Sequence, residues 1–299
     1  MSSEDQDFLK MSRVNEDPSP KNILLNNFPL KEFLGLTPSE MHSVIYDPFG
    51  EHSEFRINFI DDEILDKIPF FVLAENLLLI IYCDKKVKLT PKGFLPTKYC
   101  DELGRKKIID EFIYQIPDRK RIGEDYLPSI RAVRIALMLG ELIICKNNKI
   151  TISDYGFQLL EAKNRQALFE VIFYAFTQTF LWAHLDGYRS ELIGQLGFAF
   201  SISMLKHFGD SSRNLLFYAN KYKEAFPLLM NPLKDHQYFP VEHQFLSCYR
   251  VRLFDRFFEW FGLVKADEYH ILDMERCSYS KIEIVDKLFT TPELLEQFL

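Results

Sequence analysis

The apolar and polar positions of the chain follow one order three times: an apolar helix, a pair of short strands with a polar turn, and the start of another helix. The three instances begin at Pro69, Ile130 and Arg252. In each, an apolar run of helical length gives way to a short stretch bounded by polar turn residues, which indicates strands. The pattern therefore predicts a mainly α-helical protein with small β-hairpins.

The second instance is the clearest. Its pattern predicts a helix from about Pro128 to Leu139, strands over 142–145 and 149–152, and a further helix with Ser153 as its N-cap. The intervening Asn147-Asn148 suits a tight hairpin, because asparagine tolerates positive φ. A helix that leads into such a hairpin is the second half of a winged-helix unit, which serves DNA binding, protein docking or architecture. The order resembles the wing half of bacterial winged-helix regulators.

Along the chain, the pattern predicts five consecutive segments. They are a polar, acidic tail that we expect to be disordered (1–22), an N-terminal helical segment (23–68), a tandem winged-helix-like region (69–165), a helical block (166–246) and a third winged-helix-like unit (247–299). The predicted fold is thus mainly α, with winged-helix-like repeats around a central helical block.

Two further helix starts carry capping signals. Thr37 is followed by Pro38 and, three residues after Thr37, by Glu40, which together predict a capping box. Asp210 or Ser211 is the expected N-cap of the helix that follows them.

The net charge of −7 is unevenly distributed. Residues 1–68 carry 6 basic and 14 acidic residues, residues 69–165 carry 17 and 12, and residues 166–299 carry 13 and 17. Only the middle region, with its excess of five positive charges, favours a polyanionic partner. This excess is far smaller than that of a dedicated nucleic-acid-binding domain.

The cysteine pattern and the apolar runs bear on the compartment. The five cysteines are widely spaced and form no CxxC pair, which argues against a disulfide framework or a zinc ribbon and favours a reducing, cytoplasmic setting. The acidic start is unlike a secretory signal peptide. The apolar runs 69–82 and 168–185 are too short, or too rich in polar residues, to span a bilayer, so we expect core helices and no membrane contact.

The runs FLGLTPSEMHSVIYDPF, KLTPKGFLPTKYCDEL, GFAFSISMLKHFGD and YKEAFPLL, in that order, carry a resemblance. They resemble a group of uncharacterised bacterial proteins, some of which are joined to a SEC-C metal-binding motif. The resemblance covers nearly the whole chain from Phe28 onward, and its motifs look structural, so it implies a fold and no agreed activity. The cysteine-dense SEC-C signature is absent from this sequence, so the zinc binding of those relatives is not implied here.

A DNA-reading helix needs a solvated face of polar and basic side chains. The apolar helix of the first repeat offers only Glu75 and Asn76, and that of the second offers two arginines. The third is amphipathic, with phenylalanines on one face and a mixture of arginines and carboxylates on the other. The candidate contacts to nucleic acid or to a partner protein are Arg105, Lys106, Lys107, Arg119, Lys120, Arg121, Arg131, Arg134, Arg252 and Arg256.

Catalytic and metal-binding patterns are weak. The densest set of potential ligands, His236, Glu242 and His243, lacks the spacing of an HExxH helix, and the chain has no GxSxG motif and no glycine-rich phosphate loop. We therefore expect no catalytic residue, metal, cofactor or small-molecule substrate. The sequence favours a non-catalytic binding protein with a protein partner or self-association first, a nucleic-acid-binding regulator that uses the basic middle region second, and an enzyme third.

Overall fold

The computed structural model describes residues 26–111, 113, 122–236, 239–270 and 273–299. The described chain is mainly helical with small antiparallel sheets, as the sequence predicts. It forms two compact units. Unit 1 comprises the described residues up to Asn58, together with Tyr188–Phe254 and Val264–Leu299, and unit 2 comprises Phe59–Gly187 and Asp255–Leu263. Each unit is thus assembled from non-consecutive stretches, whereas the sequence pattern divides the chain into consecutive segments.

The helices, in chain order, are α1 (Pro38–Tyr46), α2 (Asp62–Leu65), α3 (Pro69–Asp84), α4 (Thr97–Arg105), α5 (Pro128–Leu139), α6 (Asp154–Glu161), α7 (Arg165–Tyr174), α8 (Phe198–Phe208), α9 (Leu215–Ala225), α10 (Val241–Tyr249) and α11 (Ile284–Leu288). Helices α7 and α10 continue as π-helices over Ala175–Thr179 and Arg250–Phe258. The strands are β1 (Arg56–Ile57), β2 (Val87–Lys88), β3 (Ile143–Lys146), β4 (Lys149–Ile152), β5 (Arg213–Asn214), β6 (Val264–Glu268), β7 (Ser278–Lys281) and β8 (Phe289–Thr290). Within the described residues, no helix has both the length and the apolar character that crossing a bilayer requires.

Unit 2 contains an antiparallel sheet in the order β2-β4-β3. The hairpin β3-β4 turns at Asn147 and Asn148, whose φ angles of 52° and 58° confirm the predicted tight turn. Ser153 accepts a hydrogen bond from the Gly156 N–H at 2.9 Å, which confirms it as the N-cap of α6. The first predicted repeat contributes a single strand, β2, and this strand pairs with β4 of the second.

The core of unit 2 is built from packed aromatic rings. We call Phe70, Phe173, Phe176, Trp182, Phe257, Trp260 and Phe261 the aromatic cluster. The ring centroids of Phe70 and Phe261 lie 4.8 Å apart, and those of Trp182 and Phe257 lie 5.0 Å apart. Three of the seven rings come from the stretch Asp255–Leu263, which joins the unit from far along the chain. This stretch is therefore part of the core of unit 2.

Unit 1 contains a second antiparallel sheet, in the order β5-β7-β6, and a two-stranded sheet of β1 and β8. In unit 1 the order along the chain is α8, β5, α9, α10, β6, β7. This is the same order of helices and strands as α3, β2, α4, α5, β3, β4 in unit 2. The capping box of α1 forms as predicted, with Thr37 and Glu40 bonded reciprocally.

The predicted start of α9 is wrong. The helix begins at Leu215, and its N-cap is Asn214, whose side chain accepts from the Leu216 N–H at 2.7 Å. Residues Arg213 and Asn214 instead form β5 and pair with β7. Strand pairing to a segment more than sixty residues away thus displaces the local capping signal at Asp210 and Ser211.

The helix formed by α10 and its π-helical continuation contributes to both units. Tyr249 and Phe254 pack within unit 1, where the rings of Phe254 and Tyr279 are 4.4 Å apart and those of Tyr222 and Tyr249 are 4.7 Å apart. From Asp255 onward its residues belong to unit 2. One continuous helix therefore supplies core rings to each unit.

We predict that Phe261→Ala lowers the free energy of unfolding by about 3–5 kcal/mol, because it removes a fully buried ring from the aromatic cluster. The matched control is Phe59→Ala, since Phe59 also belongs to unit 2 but is 87% exposed and is expected to change stability by less than about 0.5 kcal/mol. Both tryptophans of the chain, Trp182 and Trp260, lie in the cluster, so tryptophan emission during urea denaturation reports on unit 2. Equal midpoints for the two variants would contradict this assignment of the core.

Candidate functional site

Helix α5, which precedes the hairpin of unit 2, does not present a basic face. The Arg134 Nε donates to Glu124 Oε1 at 2.7 Å, and both side chains are buried. The second carboxylate oxygen of Glu124 accepts from the Leu95 N–H. The guanidinium of Arg131 lies over the ring of Phe94, 5.7 Å from its centroid, and is half-buried. The structure therefore places Arg134, a candidate contact from the sequence, in an internal ion pair.

Arg252 is also internal, which corrects the prediction of a solvated polar face on the third amphipathic helix. It is 1% exposed. Its Nη1 donates to the backbone carbonyls of Ser190, Glu191 and Ile193 at 2.8, 3.2 and 3.2 Å. The guanidinium of Arg252 thus bonds the backbone carbonyls of a distant loop and does not face solvent.

Arg256 lies among carboxylates of unit 2. It forms an ion pair with Asp186 at 3.1 Å and donates to the Leu185 carbonyl at 3.0 Å. Burial raises the pKa of the nearby Glu111 carboxyl, against the opposing effects of the Ser129 N–H bonded to it and of the Arg256 charge. These surroundings favour an internal role for Arg256 over a contact to phosphate.

Of the two remaining basic clusters, the structure describes only the first. Arg105, Lys106 and Lys107 are exposed at the end of α4, where the Lys106 Nζ donates to Asn76 Oδ1. Arg119, Lys120 and Arg121 lie outside the described residues. The first cluster therefore remains available to a partner.

The sheet of unit 2 carries a basic surface that the sequence motifs do not reveal. Lys88 is paired with Lys149, and Lys149 is paired with Lys146, so one lysine from each strand stands in line across the sheet. Directly opposed residues of antiparallel strands project to the same face, with Cβ atoms about 5 Å apart. We call Lys88, Lys149 and Lys146 the lysine row.

The lysine row lies on the solvent face of the sheet. The alternate residues Val87, Ile143 and Ile150 form the opposite face and are buried. Lys88 and Lys146 are exposed, and Lys149 is half-buried. Ile144 shares the lysine face, because it precedes Lys146 by two positions, and it is also exposed.

The positive charge of this face is not neutralised by any residue in the described part of the chain. The residues of β2, β3 and β4 include no Asp or Glu. Among the residues that the structure describes, none forms an ion pair with a lysine of the row, or with Lys85 and Lys86, which precede β2 and are exposed. The surface is therefore a concentrated, solvated positive patch on a protein whose net charge is negative.

Sequence reasoning missed this surface because its members come from two distant stretches. The positive balance of residues 69–165 is a signal for it, but the grouping depends on the pairing of β2 with β4. The basic runs 105–107 and 119–121 are consecutive in the sequence, so they are predicted as contacts and the lysine row is not.

A serine and a histidine meet in unit 1, but their geometry does not favour catalysis. The Ser247 Oγ lies 3.4 Å from His243 Nδ1 and 3.4 Å from Met274 Sδ, and Ser247 is buried. An activated nucleophile needs a shorter contact to its base, a carboxylate that orients the base, and access to a substrate. No described carboxylate pairs with His243, and the described residues include no group of three or more His, Cys, Asp or Glu placed to hold a metal ion.

Comparison of the chain with models of protein families, with curated proteins and with solved structures found no match. The resemblance to the bacterial group with SEC-C relatives stays a prediction.

We predict that the buried pair of Glu124 and Arg134 is structural and strongly coupled. Arg134→Met strands an ionised carboxylate in the core, so we expect a loss of about 3–5 kcal/mol in the free energy of unfolding. The double variant Glu124→Gln, Arg134→Met is expected to be more stable than Arg134→Met alone, because no buried charge then remains unpaired. Arg131→Met is the control on the same helix, and urea denaturation provides the measurement. Glu124→Gln alone completes the cycle, and additive effects of Glu124→Gln and Arg134→Met in the double variant would contradict the coupling.

Proposed function

We propose that this protein is a non-catalytic binding protein with two winged-helix-like units, and that unit 2 binds the phosphate backbone of nucleic acid through its lysine row. The order of elements supports the first part. In each unit a helix, a strand, two helices and a hairpin follow one another, and the first strand pairs with the last strand of the hairpin. This order and pairing is typical of winged-helix units, and it supports the proposal of one such unit in each.

The helices that precede the two hairpins are poor readers of base sequence. The arginines of α5 are stacked or ion-paired, and Arg252 and Arg256 of the π-helix after α10 are bonded to carbonyls and to Asp186. Base recognition in the major groove needs such side chains free and solvated. We therefore propose contact through the sheet and its hairpin, with little preference for sequence.

The lysine row is the observation that carries the proposal. Like charges placed directly opposite each other across strands are destabilising, and here two such pairs adjoin. A phosphate backbone relieves this repulsion, because each ammonium group that neutralises a phosphate also releases a bound counterion. The three ammonium groups span three adjacent strands, about 10 Å in all, so they are placed to follow a strand of phosphates.

A protein partner, the first expectation from the sequence, is the second candidate. The observation that favours it is a groove in unit 1 between α9 and α10. Glu242, Asp273 and Glu275 lie at its rim, and their negative charge makes the groove unsuited to nucleic acid. A cytoplasmic location belongs to the same proposal, and the five free cysteines are consistent with it.

The experiment replaces Lys88, Lys146 and Lys149 together with glutamine and measures binding to a fluorescein-labelled single-stranded DNA and to a duplex by anisotropy, between 50 and 200 mM salt. We expect wild-type binding to weaken as salt increases, and the variant to have a slope of log affinity against log salt that is smaller by about two to three. We also expect the variant to be as stable as wild type, or more stable by about 0.2–1 kcal/mol for each like-charge pair removed.

The control replaces Lys31, Lys163 and Lys234 with glutamine, because these lysines are exposed, lie outside the lysine row and change the net charge equally. If both triple variants change the slope of log affinity against log salt equally, the effect comes from net charge alone and the lysine row is rejected as the binding site. Wild-type protein that binds neither DNA at 50 mM salt would reject the function.

A further inference from the structure

Unit 1 contains a groove of about 480 Å³ between α9, the first turns of α10 and the turn Met274–Arg276. Its floor is apolar and includes Leu216, Phe245, Leu246 and Met274. Three of these four side chains are buried, and Leu216 is half-buried. The volume falls within the range of sites that accept a small ligand or a side chain of a partner.

The rim of the groove is negatively charged. Glu242, Asp273 and Glu275 line it and are exposed. Glu242 pairs with Lys223 at 2.9 Å, while the carboxylates of Asp273 and Glu275 form no ion pair with any residue in the described part of the chain. An apolar floor is thus bordered by two carboxylates whose charge is not balanced by a described cation.

Internal hydrogen bonds fix the walls of the groove. The Asn214 side chain donates to the Glu275 carbonyl. Asp235 Oδ1 accepts from the Val241 N–H at 3.1 Å, at the start of α10, and the Ser247 hydroxyl contacts Met274 Sδ. A site whose walls are held in place before binding loses less conformational entropy when a ligand enters.

We propose that this groove docks a short basic segment of a partner protein, with one large apolar side chain on the floor and lysine or arginine side chains beside the rim carboxylates. Charge complementarity selects this occupant, because the unbalanced carboxylates attract cations and repel phosphate. The apolar floor selects the anchor, since burying a side chain such as leucine contributes most of the favourable energy of a small contact. The site lies in unit 1 and does not depend on the lysine row.

The test uses the full chain and a fluorescein-labelled peptide in which one leucine is flanked on both sides by lysine and arginine. We expect the peptide to bind and to shift the NMR methyl signals of Leu216, Leu246 and Met274. Glu275→Lys is expected to weaken binding about tenfold, since it replaces an attraction at the rim with a repulsion. The matched control is Glu54→Lys, because Glu54 is an exposed carboxylate of unit 1 outside the groove and the substitution changes the net charge equally.

Four outcomes would overturn the proposal. They are no binding of the basic peptide, equal binding of a peptide with glutamate in place of lysine and arginine, equal effects of Glu275→Lys and Glu54→Lys, and binding without shifts of the three methyl signals. A dimer in analytical ultracentrifugation that Glu275→Lys dissociates would assign the groove to a second copy of the chain instead.

Discussion

Aromatic packing around one long helix is the constraint on which the rest of the structure depends. The rings of Tyr249 and Phe254 complete the core of unit 1, and Phe257 and Phe261 complete that of unit 2. Tyr249, Phe254 and Phe257 lie on α10 and its π-helical continuation, and Phe261 follows three residues after its end, so this one stretch of chain supplies rings to both cores. The π-helical stretch adds residues per turn relative to an α-helix, which changes the direction in which later side chains project.

The two units share an order of elements and differ in the charge they present. In unit 2 the exposed polar surface of the sheet is basic, and in unit 1 the groove beside α10 is acidic at its rim. The arginines that look most like ligands of a partner, Arg134 and Arg252, stabilise the interior instead. Charge that is bonded inside a domain contributes to its structure, and charge that is left solvated is available for recognition. On this criterion the lysine row and the groove rim, like the exposed cluster Arg105, Lys106 and Lys107, are available to a partner.

The sequence predicts local structure well and long-range structure poorly. The boundaries of α5, the Asn147-Asn148 turn, and the caps Thr37 and Ser153 all follow from propensities and bonds within a few residues. The lysine row depends on Lys88 meeting Lys149 across sixty-one positions, and no local signal specifies that pairing. The capping signals at Asp210 and Ser211 likewise yield to the pairing of β5 with β7. Charged residues on one face of an amphipathic helix suggest that the face is solvated. Arg252 is buried nonetheless, because three backbone carbonyls of a loop some sixty residues earlier accept hydrogen bonds from it.

The contribution of Asp255–Leu263 to unit 2 has a consequence for synthesis on the ribosome. Most of unit 2 leaves the ribosome by Gly187, but Phe257, Trp260 and Phe261 follow only after much of unit 1 has been made. Domains generally fold as units while the chain grows, and the apolar surface they leave uncovered in the meantime promotes aggregation. The nascent chain therefore carries an incomplete aromatic core through the synthesis of some seventy residues.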